Sequence, residues 1–173
     1  VGAVNNGSGP SKDLSLAGVR EPSVAIRRAT RADVPALVAG VIELLVEIGG
    51  EPAPAEQLEE AARALIESPD AGVVLVAECE EQIVGVLGVS WQTAIRIPGR
   101  YGVIQELWVE RAYRYKEIGA DMLTALAKLA REEGVGRLEV GLPSERYRNL
   151  VSTESFYETN DFKGIGLRMR RLL

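Results

Sequence analysis

Three apolar runs follow one another between residues 72 and 109, separated only by short polar or Gly/Pro links, and helical spacing flanks them on both sides. A chain ordered in this way must build a sheet covered by helices. Gly72–Glu78 reads as a continuous apolar strand. Glu81-Gln82 marks a turn, and Ile83–Trp91 reads as the next strand, so the two form an antiparallel hairpin. Pro98-Gly99 marks a further turn before a strand over Tyr101–Val109. Upstream, Val24–Ala29 reads as a short strand. Thr30 then opens a helix, with Asp33 three residues on completing a capping-box-like pair. Val34, Leu37, Val38, Val41, Leu44, Leu45 and Ile48 recur at helical spacing until Gly49-Gly50 stops them. A second helix starts near Pro54, turns Leu58, Ala61, Ala62, Leu65 and Ile66 inward, and ends at Ser68-Pro69-Asp70.

Downstream, a helix over Ile118–Glu133 buries Met122, Leu123, Leu126 and Ala130, and Gly134 and Gly136 end it. Arg137–Leu142 returns as a strand, Leu150–Asn160 forms a short helix, and Phe162–Leu172 closes the chain as a strand with Ile165, Leu167 and Met169 on one face. The strand–helix–strand unit between residues 101 and 142 demands a parallel pair with a right-handed crossover, whereas the leading hairpin is antiparallel. The expected fold class is therefore α/β, with a mixed, mostly antiparallel sheet flanked by helices. Residues 1–22 are rich in Gly, Ser, Asn and Pro without periodic apolar spacing, and read as a flexible tail on one domain spanning 23–173.

Composition narrows the chemistry. The chain has no histidine and one cysteine, which excludes a Ser-His-Asp triad, a Cys-His dyad, His-ligated metal sites, thiolate zinc clusters and an intrachain disulfide. No metal is expected. Cys79 ends an apolar run and is expected to pack as a small apolar residue. Acid–base work must fall to Asp, Glu, Tyr, Lys or solvent. A net charge of −5 argues against a nucleic-acid partner, and Arg168, Arg170 and Arg171 read as a solvated strand edge. No run approaches the roughly 20 apolar residues of a membrane span; the most apolar helix is interrupted by Glu43 and Glu47. With no basic stretch leading into an apolar run near residue 1, a cytoplasmic location is the expectation, and Asn6-Gly7-Ser8 is an accidental sequon.

The chemistry concentrates where the strand ending in Leu107-Trp108-Val109 runs through Glu110-Arg111-Ala112-Tyr113 into Arg114-Tyr115-Lys116-Glu117-Ile118-Gly119-Ala120 and an amphipathic helix. A loop entering a helix presents free N–H groups and the positive end of the helix dipole, which suits a pyrophosphate, and Arg114 and Lys116 add positive charge. The segment resembles the coenzyme-A signature of the GNAT superfamily, Gln/Arg-x-x-Gly-x-Gly/Ala, with Arg114 first and Gly119 last. Phe156-Tyr157-Glu158-Thr159-Asn160-Asp161-Phe162 resembles that superfamily's Phe-Tyr-Glu-x-x-Gly-Phe segment, and the element order agrees along residues 24–172. Two glycines of the pattern are replaced, the central one by Glu117 and the later one by Asp161. Glycine lets the main chain approach phosphates closely, whereas a glutamate adds a side chain and like charge.

The resemblance implies a parallel strand pair that splays apart at the cofactor site, and transfer of an acetyl group from acetyl-coenzyme A to the primary amine of a small molecule or protein by direct attack. It implies coenzyme A against Leu107, Trp108, Val109, the loop Arg114, Tyr115, Lys116, Glu117, Ile118, Gly119 and Ala120, and Asn149. It makes Tyr157 the general acid toward the leaving thiolate, and a carboxylate of the preceding strand the base. Glu106 is the candidate for that base. Plain strand alternation sets Ile104, Glu106 and Trp108 on one face and Val103, Gln105 and Leu107 on the other. The usual base position coincides with Gln105 unless a bulge intervenes. Glu47, Glu51, Glu56, Glu59 and Glu60 lie on the helices that flank the acceptor site in such proteins, and read either as a lure for a cationic amine or as a solvated face. Homodimerisation is left open. The alternatives are a catalytically silent domain of the same fold, binding acyl-CoA or a protein, and a nucleotide-binding module. The second of these lacks a Walker lysine or a complete Gly-x-Gly-x-x-Gly.

Overall fold

A computed structural model describes residues 23–166. The tail expected over residues 1–22, and Leu167, Met169 and the arginines Arg168, Arg170 and Arg171, lie outside the described residues.

The strands are β1 (Val24–Arg28), β2 (Gly72–Cys79), β3 (Gln82–Ala94), β4 (Ile97–Val109) and β5 (Leu138–Val140). The helices are α1 (Val34–Glu47), α2 (Ala55–Glu67), α3 (Ile118–Glu132) and α4 (Leu150–Thr159). The sheet follows chain order, β1-β2-β3-β4-β5; the first three pairings are antiparallel and β4–β5 is parallel. The mixed, mostly antiparallel sheet read from the sequence is thus the observed one. The long β2–β3–β4 meander arises because its alternate residues are apolar toward both faces, so it can be covered on both sides.

On one face α3 lays Ile118, Met122, Leu123, Leu126 and Ala130 over Leu75, Ala77, Cys79, Leu87, Val89 and Ile104. On the other, α1 and α2 lay Val34, Leu37, Val38 and Ala62 over Val74, Val86 and Trp108. Cys79 is buried in the first cluster, as expected of a small apolar residue. Gly40 brings α1 close to the sheet, since a Cβ there would meet the Trp108 ring at 2.6 Å. The predicted cap also forms. Asp33 Oδ2 accepts from the Thr30 N–H at 2.7 Å and from its hydroxyl at 2.9 Å, and the carboxylate also accepts two bonds from Arg27. That guanidinium, ahead of the two Thr30 bonds, holds the buried Asp33 carboxyl well below the usual range despite desolvation.

Two expectations need correction. The β3–β4 turn falls at Ile95-Arg96 rather than Pro98-Gly99. Pro98 and Gly99 sit instead in a register irregularity inside β4, where Gly99 takes a φ of +82° and proline's missing donor is tolerated. The described part of the expected last strand, from Phe162 to Gly166, is not a strand. Phe162 packs edge-on against Tyr157 at 5.4 Å, and Gly166 has a φ of +121°.

Candidate active site

The parallel pair β4–β5 is short. It joins Gly102 to Leu138, Val103 to Glu139 and Ile104 to Val140, and then stops, while β4 continues five residues further, to Val109. The stop coincides with a bulge. Glu106 opposes Gly88 and Ile104 opposes Val89, which leaves Gln105 as the extra residue. A β-bulge bends its strand, so β4 leaves β5 at this point and its far edge opens. The parallel pair therefore parts beyond Ile104 and Val140, ahead of the segment expected to hold the cofactor.

The bulge also overrides plain alternation. Ile104 belongs to the α3 cluster together with Leu107 and Val109, whereas Trp108 belongs to the α1–α2 cluster. Glu106 lies on the α1–α2 side, across Gly88, where a Cβ would collide with its Oε2. Gln105 reaches the same side and donates to Ser90 Oγ at 2.8 Å. Glu106 is half-buried and has no hydrogen bond or ion pair among the described residues. Desolvation without a compensating partner pushes its carboxyl pKa up.

After β4, a single helical turn over Arg111–Tyr113 leads into the loop. Tyr115 and Glu117 both take left-handed backbone, at φ 62° and 63°, and Glu117 is the N-cap residue of α3. The replaced glycine thus keeps the conformation glycine favours, and Asp161, the other replacement, does the same at φ 66°. Asp161 follows the end of α4, whose last carbonyls accept from Asp161 N and Phe162 N.

The main-chain N–H groups from Tyr115 through Ala120 have no hydrogen-bond partner among the described residues; the first helical bond of α3 runs from Asp121 N to Glu117 O at 2.9 Å. These free donors share one tight loop at the positive end of a helix dipole, an arrangement that fits a pyrophosphate. Glu117 is exposed and pairs with neither Arg114 nor Lys116. Gly119 admits Phe156, because a Cβ would sit 3.1 Å from its ring.

Arg114 is turned away from these N–H groups. Its guanidinium grips Glu47 at the end of α1 through two bonds of 2.9 and 2.7 Å, and its Nε donates to the Val109 carbonyl at 2.8 Å. Tyr147 donates to the same glutamate at 3.1 Å, and Asn149 lies at 3.5 Å from the Tyr147 hydroxyl. The Arg114 bonds, helped by Tyr147, lower the Glu47 pKa against the cost of burial. Glu47 therefore does not belong to a solvated acidic face. Glu59 pairs with Arg63, and Glu51, Glu56 and Glu60 are exposed. The pairing of Glu47 leaves no trace in local spacing, because Arg114 is 67 residues away.

Tyr157 is buried on the α3 side, edge-on to Phe156 at 5.2 Å and to Phe162 at 5.4 Å. Its hydroxyl makes no hydrogen bond among the described residues. Burial pushes its pKa up to about 12, so the phenol holds its proton throughout the neutral range. Glu106 and Tyr157 thus lie on opposite faces of the sheet, and Asn149 stands at the N-cap position of α4. No group of His, Cys, Asp and Glu among the described residues is arranged to hold a metal ion, and no described helix is long and apolar enough to cross a membrane.

The sequence profile of the acetyltransferase (GNAT) family matches residues 39–158, well over half of the chain. The chain belongs to the GNAT acetyltransferase family. Solved structures agree on the fold. A glucosamine-6-phosphate N-acetyltransferase from Arabidopsis thaliana superposes with a TM-score of 0.67 at 21% identity, over 87% of this chain and 98% of that one. An aminoglycoside acetyltransferase from an uncultured soil metagenomic sample gives 0.68 at 19%, over 87% and 96%. A transcriptional regulator from Bacillus halodurans C-125 gives 0.73 at 21%, over 87% and 100%. At such identities the likeness is one of fold, which carries several functions. No match was found among curated proteins.

Proposed function

We propose that this GNAT acetyltransferase moves the acetyl group of acetyl-coenzyme A to a primary amine by direct attack, without an acyl-enzyme. The observation that carries the reading is the run of N–H groups from Tyr115 to Ala120 without a partner among the described residues, just after the point where β4 parts from β5. Those donors would hold the pyrophosphate. The strand edge at Leu107, Trp108 and Val109 is the surface for the pantetheine arm, with Asn149 beside it. Bound acetyl-coenzyme A supplies the acetyl thioester and leaves as the thiol.

Glu106 takes a proton from the attacking amine nitrogen as the new C–N bond forms. A carboxylate lifted by burial is a better base near neutrality than an exposed one. Tyr157 gives its proton to the sulfur as the C–S bond breaks, a role that suits a phenol still protonated at working pH. Arg114 acts from behind the loop: tied to Glu47 and to the Val109 carbonyl, it fixes where β4 ends and the phosphate loop begins. We assign this function to a domain over residues 23–173, with residues 1–22 as an appended tail.

Calorimetry with acetyl-CoA and with desulfo-CoA, combined with thiol release in the presence of primary amines, tests the reading. Binding with turnover is expected. Binding without turnover on any amine would favour a silent acyl-CoA-binding domain, for which the carboxylate of Glu117 in the loop speaks. Absence of binding would refute both.

A further inference from the structure

The bulge in β4 does more than aim Glu106. It sends two consecutive side chains, Gln105 and Glu106, to the same face of the sheet, where strict alternation would have separated them. Glu106 lies over Gly88. One step along the same face of β3, roughly 7 Å away, stands Ser90, and beyond it Gln92. Gln105 donates to Ser90 Oγ at 2.8 Å, Gln92 Nε2 lies 3.4 Å from the same oxygen, and the Tyr101 hydroxyl donates to Gln92 Oε1 at 3.0 Å. This row continues from the carboxylate along β3 and β4 toward the turn that joins them. Gln105 and Gln92 are exposed and Ser90 is half-exposed.

Every member of the row is uncharged, and among the described residues no guanidinium or ammonium is bonded into it. Arg100, the β4 residue beside Tyr101, donates to the Glu133 carbonyl at the end of α3, across the sheet. The row retains an acceptor in Gln105 Oε1, a donor in the Ser90 hydroxyl, and further amide N–H groups. Paired neutral donors and acceptors match hydroxyl groups, which both give and accept, and supply no positive charge to balance a phosphate or carboxylate.

We propose that the acceptor of this enzyme is an uncharged polyhydroxylated amine, an amino sugar or a linear amino polyol, whose hydroxyls are read by Gln105, Ser90 and Gln92 while its nitrogen faces Glu106. The inference rests on the acyl-transfer reading above and adds the substrate class. An amine at Glu106 brings atoms a few bonds away beside Gln105 and Ser90. A hydroxyl there forms bonds that an alkyl chain leaves unmade, and the row then loses its water without replacement.

The test is thiol release with acetyl-CoA and four acceptors, with rates referred to free-base concentration: D-glucamine, glucosamine, glucosamine 6-phosphate and n-hexylamine. The expected kcat/KM for glucosamine or D-glucamine exceeds that for hexylamine by about tenfold or more, and the larger of the two ratios tells ring from chain. Glucosamine should also exceed its 6-phosphate. Gln105→Leu, at an exposed bulge position, should bring the hydroxylated-to-alkyl ratio close to one, mainly through KM, and Ser90→Ala should move it the same way. A ratio near one in the unmodified chain, a ratio that neither variant changes, or a preference for the phosphorylated sugar overturns the inference while leaving acyl transfer standing. No transfer to any of the four acceptors overturns this inference, and with acetyl-CoA still bound it also favours the silent domain over the enzyme.

Discussion

Replacing Glu117 by glycine separates two effects that this position combines. The first is backbone strain. Glu117 holds a left-handed φ of 63° that costs a residue with a Cβ on the order of 1–2 kcal/mol. Glycine removes that cost but adds about 0.4–1 kcal/mol of chain entropy to the unfolded state. A net gain near 0.5–1 kcal/mol is expected, or about 1–4 °C in Tm for a domain of this size, readable without ligand. The second effect is on coenzyme A. The glutamate places a negative charge at the mouth of a loop whose N–H groups would face a pyrophosphate, and screening by water and salt limits its effect to about 1 kcal/mol. Glu117→Gly should therefore bind acetyl-CoA roughly fivefold more tightly, with the gain shrinking as ionic strength rises. Calorimetry at two salt concentrations reads the second effect and thermal melting the first. Higher Tm with unchanged affinity at low salt would mean that the carboxylate points away from the anion. Weaker binding in the variant would refute the account of the loop, since among the described residues Glu117 makes no ion pair through which it could support the bound state.

Tyr157→Phe should lower kcat on the order of 100-fold while leaving acetyl-CoA affinity and Tm close to unchanged, since the hydroxyl makes no hydrogen bond among the described residues; equal turnover would assign the ring to packing alone. Glu106→Gln should abolish turnover yet raise Tm above neutral pH. The folded-state pKa of Glu106 is raised, so its contribution to stability is present below the unfolded carboxylate pKa and lost as pH rises through the folded value. The Tm advantage of the variant must therefore shrink on acidification, and a lower Tm at pH 8 would count against the desolvation account. Glu47→Gln removes the charged partner of Arg114 and should cost about 1.5–3 kcal/mol. Because the Glu47 pKa is lowered, that contribution is present above the unfolded carboxylate pKa and lost as pH falls through the folded value, so melting curves of the two proteins should converge in acid.

The sheet and its covering helices were legible because periodicity reports burial directly: the apolar residues spaced along Val34–Ile48 and Ile118–Glu133 are those that cover the two faces. What escaped depends on features without a periodic trace. The β3–β4 turn was assigned to Pro98-Gly99 because those residues usually punctuate turns, yet here they relieve an irregularity inside β4. The alternation of Ile165, Leu167 and Met169 points to a final strand, but the described stretch from Phe162 to Gly166 is not one, and Phe162 packs on Tyr157. The bulge at Gln105 was recognised only as an option, because a single extra residue is defined by register with β3 and not by the β4 sequence. Arg114 was read as charge for the phosphate loop; its pairing with Glu47 is a contact between distant segments that spacing could not reveal.

The two replaced glycines show how far a departure from a motif can mislead. Read as letters, Glu117 and Asp161 count against a working site. Read as backbone, they are the same site, because both residues hold the left-handed conformation that glycine would adopt. A motif glycine serves two separable purposes, a permitted φ and an absent side chain. At Asp161 only the first is at stake: the residue ends a helix, and a short polar side chain tolerates left-handed backbone comparatively well. At Glu117 both are at stake, because an anion would lie close by. The conformation survives, and the free N–H groups from Tyr115 to Ala120 survive with it. What changes is the cost of approach for a second negative charge. That cost is small at an exposed, screened position, so the substitution would tune the affinity of the loop and not remove its capacity to bind.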